Sequence, residues 1–154
     1  MFAQPSKRVS CGEFDLPVRF LVPPHVIYEA LTDGKAAQYY TQSACSIDPK
    51  PQGEYSLYNG SIQGQFISAS DKKIELKWRR REWEDGVYSI ATIDFVQLDT
   101  AVTELHLKQI NVPKYDKFNN VGVIESVKQG WIDMVFRRIS LILGYVFQTE
   151  DEFE

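Results

Sequence analysis

Three consecutive arginines stand between two tryptophans, and they are the strongest concentration of chemical groups in the sequence. They occupy Arg79, Arg80 and Arg81, with Trp78 and Trp83 on either side. Arginine binds carboxylates bidentately and is enriched at the cores of protein interfaces. The triplet is therefore a candidate site for an anion or a protein partner. A solvated face of a strand would explain the same charge pattern without any function.

The two histidines, His25 and His106, are far apart in the sequence. A metal site or a nucleophilic site built on a histidine needs close partners that bind or activate. Neither neighbourhood supplies an evident set, so we expect both side chains to lie at the surface.

Two carboxylates, Glu82 and Glu104, each interrupt a strand-like segment and are the nearest candidates for a catalytic acid or base. Neither lies in an apolar stretch of the kind that raises a carboxyl pKa. We expect both to pair with nearby arginines or lysines. The glycines at 60 and 64 precede a strand rather than a helix, so they do not form a phosphate-binding loop. The sequence thus predicts no catalytic, metal-binding or cofactor-binding residue.

The composition is that of an ordinary globular domain. The 154 residues carry a net charge of −4, and this acidic balance argues against a nucleic-acid partner because no global positive field exists to neutralise phosphates. No apolar run reaches the ~20 residues of a membrane span, and no signal peptide is evident. Cys11 and Cys45 fit a reduced thiol pair. We therefore expect a cytoplasmic protein with no membrane partner.

The first predicted element is a half-buried strand, because apolar residues alternate from Phe14 to Val22. Pro17 within it favours an edge position or a bulge. Residues 1–12, which show little periodicity, are expected to form a flexible leader.

Two short helices are predicted after this strand. Pro23 and Pro24 end the strand and suit the first turn of a helix that runs to about Thr32. A second short helix is predicted over Lys35–Tyr40.

The middle of the chain alternates strand-like segments with tight turns, which predicts an antiparallel meander. The six candidate strands span residues 43–47, 54–58, 61–69, 73–83, 87–98 and 102–111. Trp83 has the opposite parity to Trp78, so we expect a bulge near residues 79–82 that brings both rings to one face and bends the sheet.

A long helix is predicted from about Val121 to Tyr145, roughly 37 Å in length. Its apolar residues cover about 220° of arc, well beyond the ~100° of a surface helix, so its second half must be covered on more than one side. Arg138 falls inside this arc, and a snorkelling side chain explains it. The single domain then spans residues 13–147, and the acidic tail 148–154 is expected to fray.

Short matches to one family occur in order between residues 14 and 146. They are Tyr28, Leu31–Thr32, Gly53–Leu57, Asn59–Gly60, Gly64–Phe66, Lys77–Arg79, Trp83, Gly86, Thr103–Leu105, Val112–Pro113, Gly130–Trp131 and Gly144–Tyr145. In this order they resemble the C-terminal domain of the activators of the heat-shock protein 90 ATPase, within the START-like helix-grip superfamily.

The resemblance implies an α+β fold in which a curved antiparallel sheet of about six to seven strands wraps round the long C-terminal helix. It also implies a co-chaperone module that is not an enzyme, binds heat-shock protein 90 at the N-terminal ATPase domains and modulates its ATPase. Arg79–Arg81 are the predicted contact residues. The activators carry a larger N-terminal domain with no counterpart in these 154 residues, so we do not expect strong stimulation by this chain alone. The segment Tyr115–Gln129 is longer than the usual link, so a protruding loop or an earlier helix start is expected.

The superfamily implies a second function, the carriage of an apolar small molecule in a cavity between the sheet and the long helix. The wide apolar arc of the helix agrees with such a cavity. The predicted lining residues are Phe66, Trp78, Ile93, Leu105, Trp131, Val135 and Ile139. An enzyme that uses a cavity carboxylate rests on analogy of fold alone, which is a poor warrant for function.

Overall fold

An eight-stranded antiparallel sheet wraps round one long helix in the computed structural model, which describes residues 10–153. The predicted α+β fold is confirmed, with eight strands where about six to seven were expected. Their order across the sheet is β2-β3-β4-β5-β6-β7-β1-β8. The strands are β1 (Cys11–Phe20), β2 (Ser46–Ile47), β3 (Glu54–Leu57), β4 (Ile62–Ala69), β5 (Lys73–Arg80), β6 (Ser89–Asp99), β7 (Val102–Pro113) and β8 (Phe147–Thr149).

The two short helices predicted after β1 are present as α1 (Pro24–Thr32) and α2 (Gly34–Thr41). Pro24 lies in the first turn of α1, where the missing N–H removes no helical hydrogen bond. Asp33 separates the helices and its carboxylate accepts a hydrogen bond from the Lys35 amide at 3.1 Å, which caps α2.

Strand β1 shows the predicted alternation, because Phe14, Leu16, Val18 and Phe20 are all buried. It begins at Cys11, inside the segment predicted as a leader, and pairs with β7 from there on. Residues 1–9 lie outside the described residues.

Strand β8 begins at Phe147, the last residue of the predicted domain, and includes the first two residues of the tail that was expected to fray. Phe147 packs against the rings of Phe20 and Phe136, with centroids 5.2 and 6.1 Å apart, and this burial of aromatic surface holds the segment in place. The ladder ends where Thr149 pairs with Val18. The next residue of β1 is Pro17, which has no N–H to extend the ladder.

The bulge predicted near residues 79–82 is wrong. Strand β5 ends at Arg80, and the Trp83 amide donates to the Arg80 carbonyl at 3.2 Å in the turn that follows. This turn brings Trp83 inside, with its ring centroid 5.5 Å from that of Trp78. Register shifts lie elsewhere in the sheet: between Gly12 and Phe14 in β1, between Phe66 and Ser68 in β4, and between Gln97 and Asp99 in β6.

The C-terminal helix is continuous over three segments: an α-helical segment at Val123–Gly130, a π-helical segment at Trp131–Phe136 and a second α-helical segment at Arg137–Leu143. It is two residues shorter at each end than predicted. Gly122 and Gly144 flank it with φ of 75° and 81°, a left-handed conformation that glycine adopts at little cost.

The wide apolar arc is explained by cover on two sides of this helix. On one side Trp131 stacks on Trp78 of β5, with centroids 6.0 Å apart. On the other side α2 lies against the second α-helical segment, where Arg138 Nε donates to the Tyr40 carbonyl at 2.8 Å. The Arg138 side chain thus joins two helices by a hydrogen bond, where a snorkelling side chain was predicted.

Candidate functional site

Arg79 is buried and its guanidinium is committed to the chain's own backbone. It donates to four carbonyls of the following turn: Arg81 at 3.3 Å, Trp83 at 2.9 Å, Glu84 at 2.9 Å and Val87 at 3.3 Å. Hydrogen bonds from a charged donor are roughly twice as strong as neutral ones. Arg79 therefore fixes the shape of the turn, and little of its guanidinium faces solvent.

Arg80 points the other way and crosses to the C-terminal helix. Its two terminal nitrogens donate to Ser126, one to Oγ at 2.8 Å and one to the carbonyl at 3.1 Å. A Cβ on Gly130 would lie 2.5 Å from Nη2 of Arg80, so the glycine of the Gly130–Trp131 pair leaves room for this guanidinium. Arg80 is thus partly buried at a joint between β5 and the helix.

Burial lowers the pKa of the Arg80 guanidinium, and the negative charge of Glu82 acts in the opposite direction. Glu82 nevertheless lies beyond ion-pair distance of it. Among residues 10–153, no carboxylate oxygen comes within 4.0 Å of the Arg80 guanidinium. The positive charge is partly desolvated without a paired anion.

Arg81 is exposed, and its Nη2 donates to the Asn59 carbonyl at 2.7 Å. The structure therefore separates the three arginines that the sequence presented as one patch. Arg79 is buried against the turn after β5, Arg80 lies between β5 and the C-terminal helix, and Arg81 is exposed.

The seven residues predicted to line a cavity are all buried, and they form a packed core. Between the sheet and the C-terminal helix lie two voids of about 10 Å³ each, one beside Trp78 and Val135 and one beside Phe66 and Ile93. A void of this size holds about one water molecule, whereas drug-sized ligands occupy pockets of roughly 300–1,000 Å³. Trp131 lies beside both voids, and the remaining two residues, Leu105 and Ile139, are fully buried.

A buried chain of hydrogen bonds joins the sheet to the helix inside this core. Trp131 Nε1 donates to Gln109 Oε1 at 2.7 Å, Gln109 Nε2 donates to Ser89 Oγ at 2.8 Å, and Ser89 Oγ donates to the Trp78 carbonyl at 2.9 Å. Each of these polar side chains is fully buried or nearly so. Such a network specifies one arrangement because any missing member leaves a buried group unsatisfied.

The loop between β7 and the C-terminal helix spans residues 114–122, and the helix does not start earlier than predicted. Asp116 accepts hydrogen bonds from the amides of Phe118 and Asn120, at 2.8 and 2.9 Å, and from the Asn120 side chain at 2.9 Å. Burial of the Asp116 carboxyl acts to raise its pKa, but these bonds outweigh it and hold the pKa below its ordinary value. The loop is therefore a fixed turn.

Three apolar side chains of this loop face solvent, and none of them is among the residues predicted to contact a partner. Tyr115 is 49% exposed, Phe118 67% and Val121 74%. In the sequence these three residues lie within seven positions, next to Lys114 and Lys117. This grouping of apolar residues among charged ones was the signal available for predicting an exposed apolar loop. The Lys117 amide donates to the Glu82 carbonyl at 3.0 Å, which joins the loop to the turn after β5. We call residues 81–88 and 114–122 together the loop end.

The outer face of the sheet carries Glu104, which was predicted to pair with a nearby arginine or lysine, and His106, which was predicted to lie at the surface. Glu104 accepts a hydrogen bond from Arg19 Nε at 2.7 Å and pairs with His106. Burial acts to raise the pKa of Glu104, but the hydrogen bonds and charges of His106 and Arg19 hold it below its ordinary value. His25 is exposed on α1. The cluster is an ion-pair network and contains no evident nucleophile.

Two further features of the described residues concern metal binding and membrane spanning. Residues 10–153 contain no group of three His, Cys, Asp or Glu side chains that could hold a metal ion. In the same part of the chain, no helix is both long enough and apolar enough to cross a membrane.

Fold and site together define a START-like helix-grip domain with a packed interior and with exposed arginine and aromatic side chains at one end. A family profile described as "Activator of Hsp90 ATPase homolog 1-like protein" matches residues 21–144, and the chain belongs to this family.

Named relatives agree with this assignment. The chain is 30% identical over 142 residues to the activator of 90 kDa heat shock protein ATPase homolog of Dictyostelium discoideum, and 25% identical over 139 residues to homolog 1 of Homo sapiens. The matches cover 92% and 90% of this chain but only 35% and 39% of those proteins. The chain thus spans little more than a third of the length of these relatives.

Solved structures agree as well. The crystal structure of an HSP90 activator from Plasmodium falciparum matches with a TM-score of 0.84 at 34% identity, over 89% of this chain and 99% of that one. The solution structure of an Aha1 dimer from Colwellia psychrerythraea matches with a TM-score of 0.66 over 86% of this chain and 97% of that one. At 12% identity, the second match shows the fold alone.

Proposed function

We propose that this chain is a co-chaperone module that binds heat-shock protein 90 at its N-terminal ATPase domains and modulates the ATPase. The observation that carries the proposal is the family match over residues 21–144, together with the 34% identity to an HSP90 activator of the same fold. The relatives are named as activators of an ATPase rather than as enzymes, and we propose the same non-enzymatic role here.

The arrangement of chemical groups supports a role in protein binding. The best-formed polar network lies inside the core and joins sheet to helix, where it reaches no substrate. Exposed arginine and aromatic side chains lie at the loop end, and these residue types are enriched at protein interfaces. We expect the module to act in the cytoplasm, where the chaperone is present.

A binding titration tests the proposal. The chain would be added to purified heat-shock protein 90 without nucleotide, with ADP and with a non-hydrolysable ATP analogue, and binding would be followed by calorimetry. We expect binding that is tightest with the ATP analogue, because the family is expected to favour the closed arrangement of the ATPase domains. Absence of binding in all three states would overturn the proposal.

An ATPase assay then measures the second part of the proposal. Because the chain spans 35–39% of the length of its relatives, we expect it to change the chaperone's ATPase rate by much less than a full-length activator does. An unrelated acidic protein of similar size serves as the control for non-specific effects.

The second function expected from the sequence, carriage of an apolar molecule, has less support. The voids of about 10 Å³ leave no room for such a cargo in this conformation. The prediction can be tested by mass spectrometry of the purified protein under native conditions. A stoichiometric apolar molecule would revive it.

A further inference from the structure

Two loops are joined into one rigid end of the molecule. Besides the bond between the Lys117 amide and the Glu82 carbonyl, Lys117 Nζ lies 3.8 Å from the Asp85 carboxylate. Arg79 holds the first loop through four carbonyls, and Asp116 holds the second through three hydrogen bonds. Side chains displayed on this end are therefore presented without the entropic cost of ordering a flexible loop on binding.

The rigid end exposes large apolar side chains. Phe118 and Val121 are 67% and 74% exposed. Burying these side chains would stabilise the free chain by removing apolar surface from water. Exposed apolar side chains grouped on one short loop, rather than scattered singly, are typical of interaction sites. The loop end thus has the apolar half of an interface.

A pocket of about 510 Å³ meets the loop end at Glu82, which forms part of its wall. Ile62 and Met134 supply apolar wall, and the Arg80 guanidinium forms a charged part of the lining. The Asp133 carboxylate also lines the pocket, but Gln129 donates to it at 3.1 Å and Arg137 lies 3.5 Å from it. The negative charge of Asp133 is therefore already partly compensated.

The positive charge of Arg80 is compensated only in part, because the Glu82 carboxylate lines the same pocket but lies beyond ion-pair distance. Two of its five N–H groups bond to Ser126, and within the described chain no carboxylate stands within 4.0 Å. Burial penalises this charge. An incoming carboxylate would restore the lost solvation and could accept the remaining donors in a bidentate geometry. The unused N–H groups of Arg80 can thus take up a carboxylate, against the opposing charge of Glu82 in the same wall.

We propose that the loop end and the Arg80 pocket form the surface by which this chain docks on the chaperone. An acidic side chain of the partner occupies the Arg80 pocket, and Phe118 with Val121 enters an apolar recess beside it. This inference rests on the proposed function, and it deepens that function by assigning the contact to Arg80 rather than to the whole arginine triplet.

The test compares matched variants in the same titration. Arg80→Gln removes the charge, and Phe118→Ser removes the apolar ring at an exposed position. Lys72→Gln causes the same loss of charge in the turn before β5, at the opposite end of the strand that Arg80 ends. Leu141→Ser removes an apolar side chain that is 70% exposed on the C-terminal helix. We expect a loss of affinity of about tenfold or more for the first two variants and less than about twofold for the two controls.

A further variant separates a loss of docking from a loss of folding. Gly130→Ala keeps every charge but forces the Arg80 guanidinium to move, because its Cβ would lie 2.5 Å from Nη2, the movable end of that side chain. Near-ultraviolet circular dichroism and the thermal midpoint would show that the variant is folded. We expect it to bind several-fold more weakly than wild type, and we expect salt to weaken wild-type binding more than Arg80→Gln binding.

Two results would overturn the inference in distinguishable ways. If wild type binds and folded Arg80→Gln, Gly130→Ala and Phe118→Ser bind equally well, the docking surface is wrong while the proposed function stands. If wild type itself fails to bind in every nucleotide state, the proposed function falls and the docking surface falls with it.

Discussion

The space between the sheet and the C-terminal helix differs from the loop end in how it treats polar groups. In the interior, Trp131, Gln109 and Ser89 satisfy one another within 2.9 Å, and the voids beside them hold about 10 Å³ each. Beside the loop end, the Arg80 guanidinium uses two of its five N–H groups in hydrogen bonds to Ser126. At the loop end, the Phe118 ring is exposed to solvent. Among residues 10–153, Nε1 of Trp78 and Nε1 of Trp83 are buried without a hydrogen-bond partner, so the interior is not fully satisfied. The buried network nevertheless stabilises the fold, whereas the exposed groups of the loop end are accessible to a partner.

The largest expected effect tests the filled interior. Trp131→Ala removes the ring that stacks on Trp78 and the donor to Gln109, so we expect the free energy of unfolding to fall by about 3–5 kcal/mol. Urea denaturation measures this. The matched control is Phe118→Ala, which we expect to change stability by about 0.5 kcal/mol or less. Equal losses in the two variants would remove the distinction between the two regions.

The next effect tests the division within the arginine triplet. Arg79→Gln removes the donor to four carbonyls that shape the turn after β5, and we expect a loss of about 2–3 kcal/mol. Arg81→Gln has the same charge change at an exposed position, and we expect a loss of about 0.5 kcal/mol or less. Denaturation midpoints of the two proteins would decide, and a larger effect at Arg81 would reverse our assignment.

A smaller effect tests the buried network. Gln109→Leu keeps the side-chain volume but leaves Trp131 Nε1 and Ser89 without their partner, and we expect a loss of about 1–3 kcal/mol. Gln109→Leu in a Trp131→Phe background should cost less, because the indole donor is already gone. A double-mutant cycle measures this coupling, and additive losses would show that the two side chains do not act together.

The smallest effect concerns the outer face of the sheet. Because the pKa of Glu104 lies below its ordinary value of 4.5, its ion pairs contribute stability above that value, and the contribution disappears as the pH falls through the lowered pKa. Glu104→Gln should therefore be less stable than wild type by roughly 0.5–1 kcal/mol near pH 7. The difference should shrink in acid below pH 4.5, as followed by thermal unfolding. A difference that grows in acid would contradict the assignment of the charges.

The sequence predicted the elements that depend on local patterns. Alternation placed β1 and proline placed α1, and the pair Gly130–Trp131 marked the helix that the sheet encloses. The bulge was wrong because parity counts residues within a strand, whereas Trp83 enters the core through a turn. The acidic tail was predicted to fray because local patterns do not show how it is held. Phe147, just before it, packs against Phe20 and Phe136, which are distant in sequence.

The candidate site was predicted less well for a physical reason. Arg79 and Arg80 are identical in type and adjacent in sequence, and what separates them is the direction in which a strand sends successive side chains. One meets the carbonyls of its own turn and the other meets Ser126 on the helix. The filling of the interior was also invisible in the sequence, since a packed core and a ligand cavity call for the same apolar residues.

The most direct test of this account is amide hydrogen exchange of the chain with and without heat-shock protein 90. The account predicts added protection in residues 81–88 and 114–122 and at the start of the C-terminal helix, with no change in β6 and β7. Protection confined to the region of β2 and β3, or the loosening of β6 and β7 that opening of the interior would require, would contradict it.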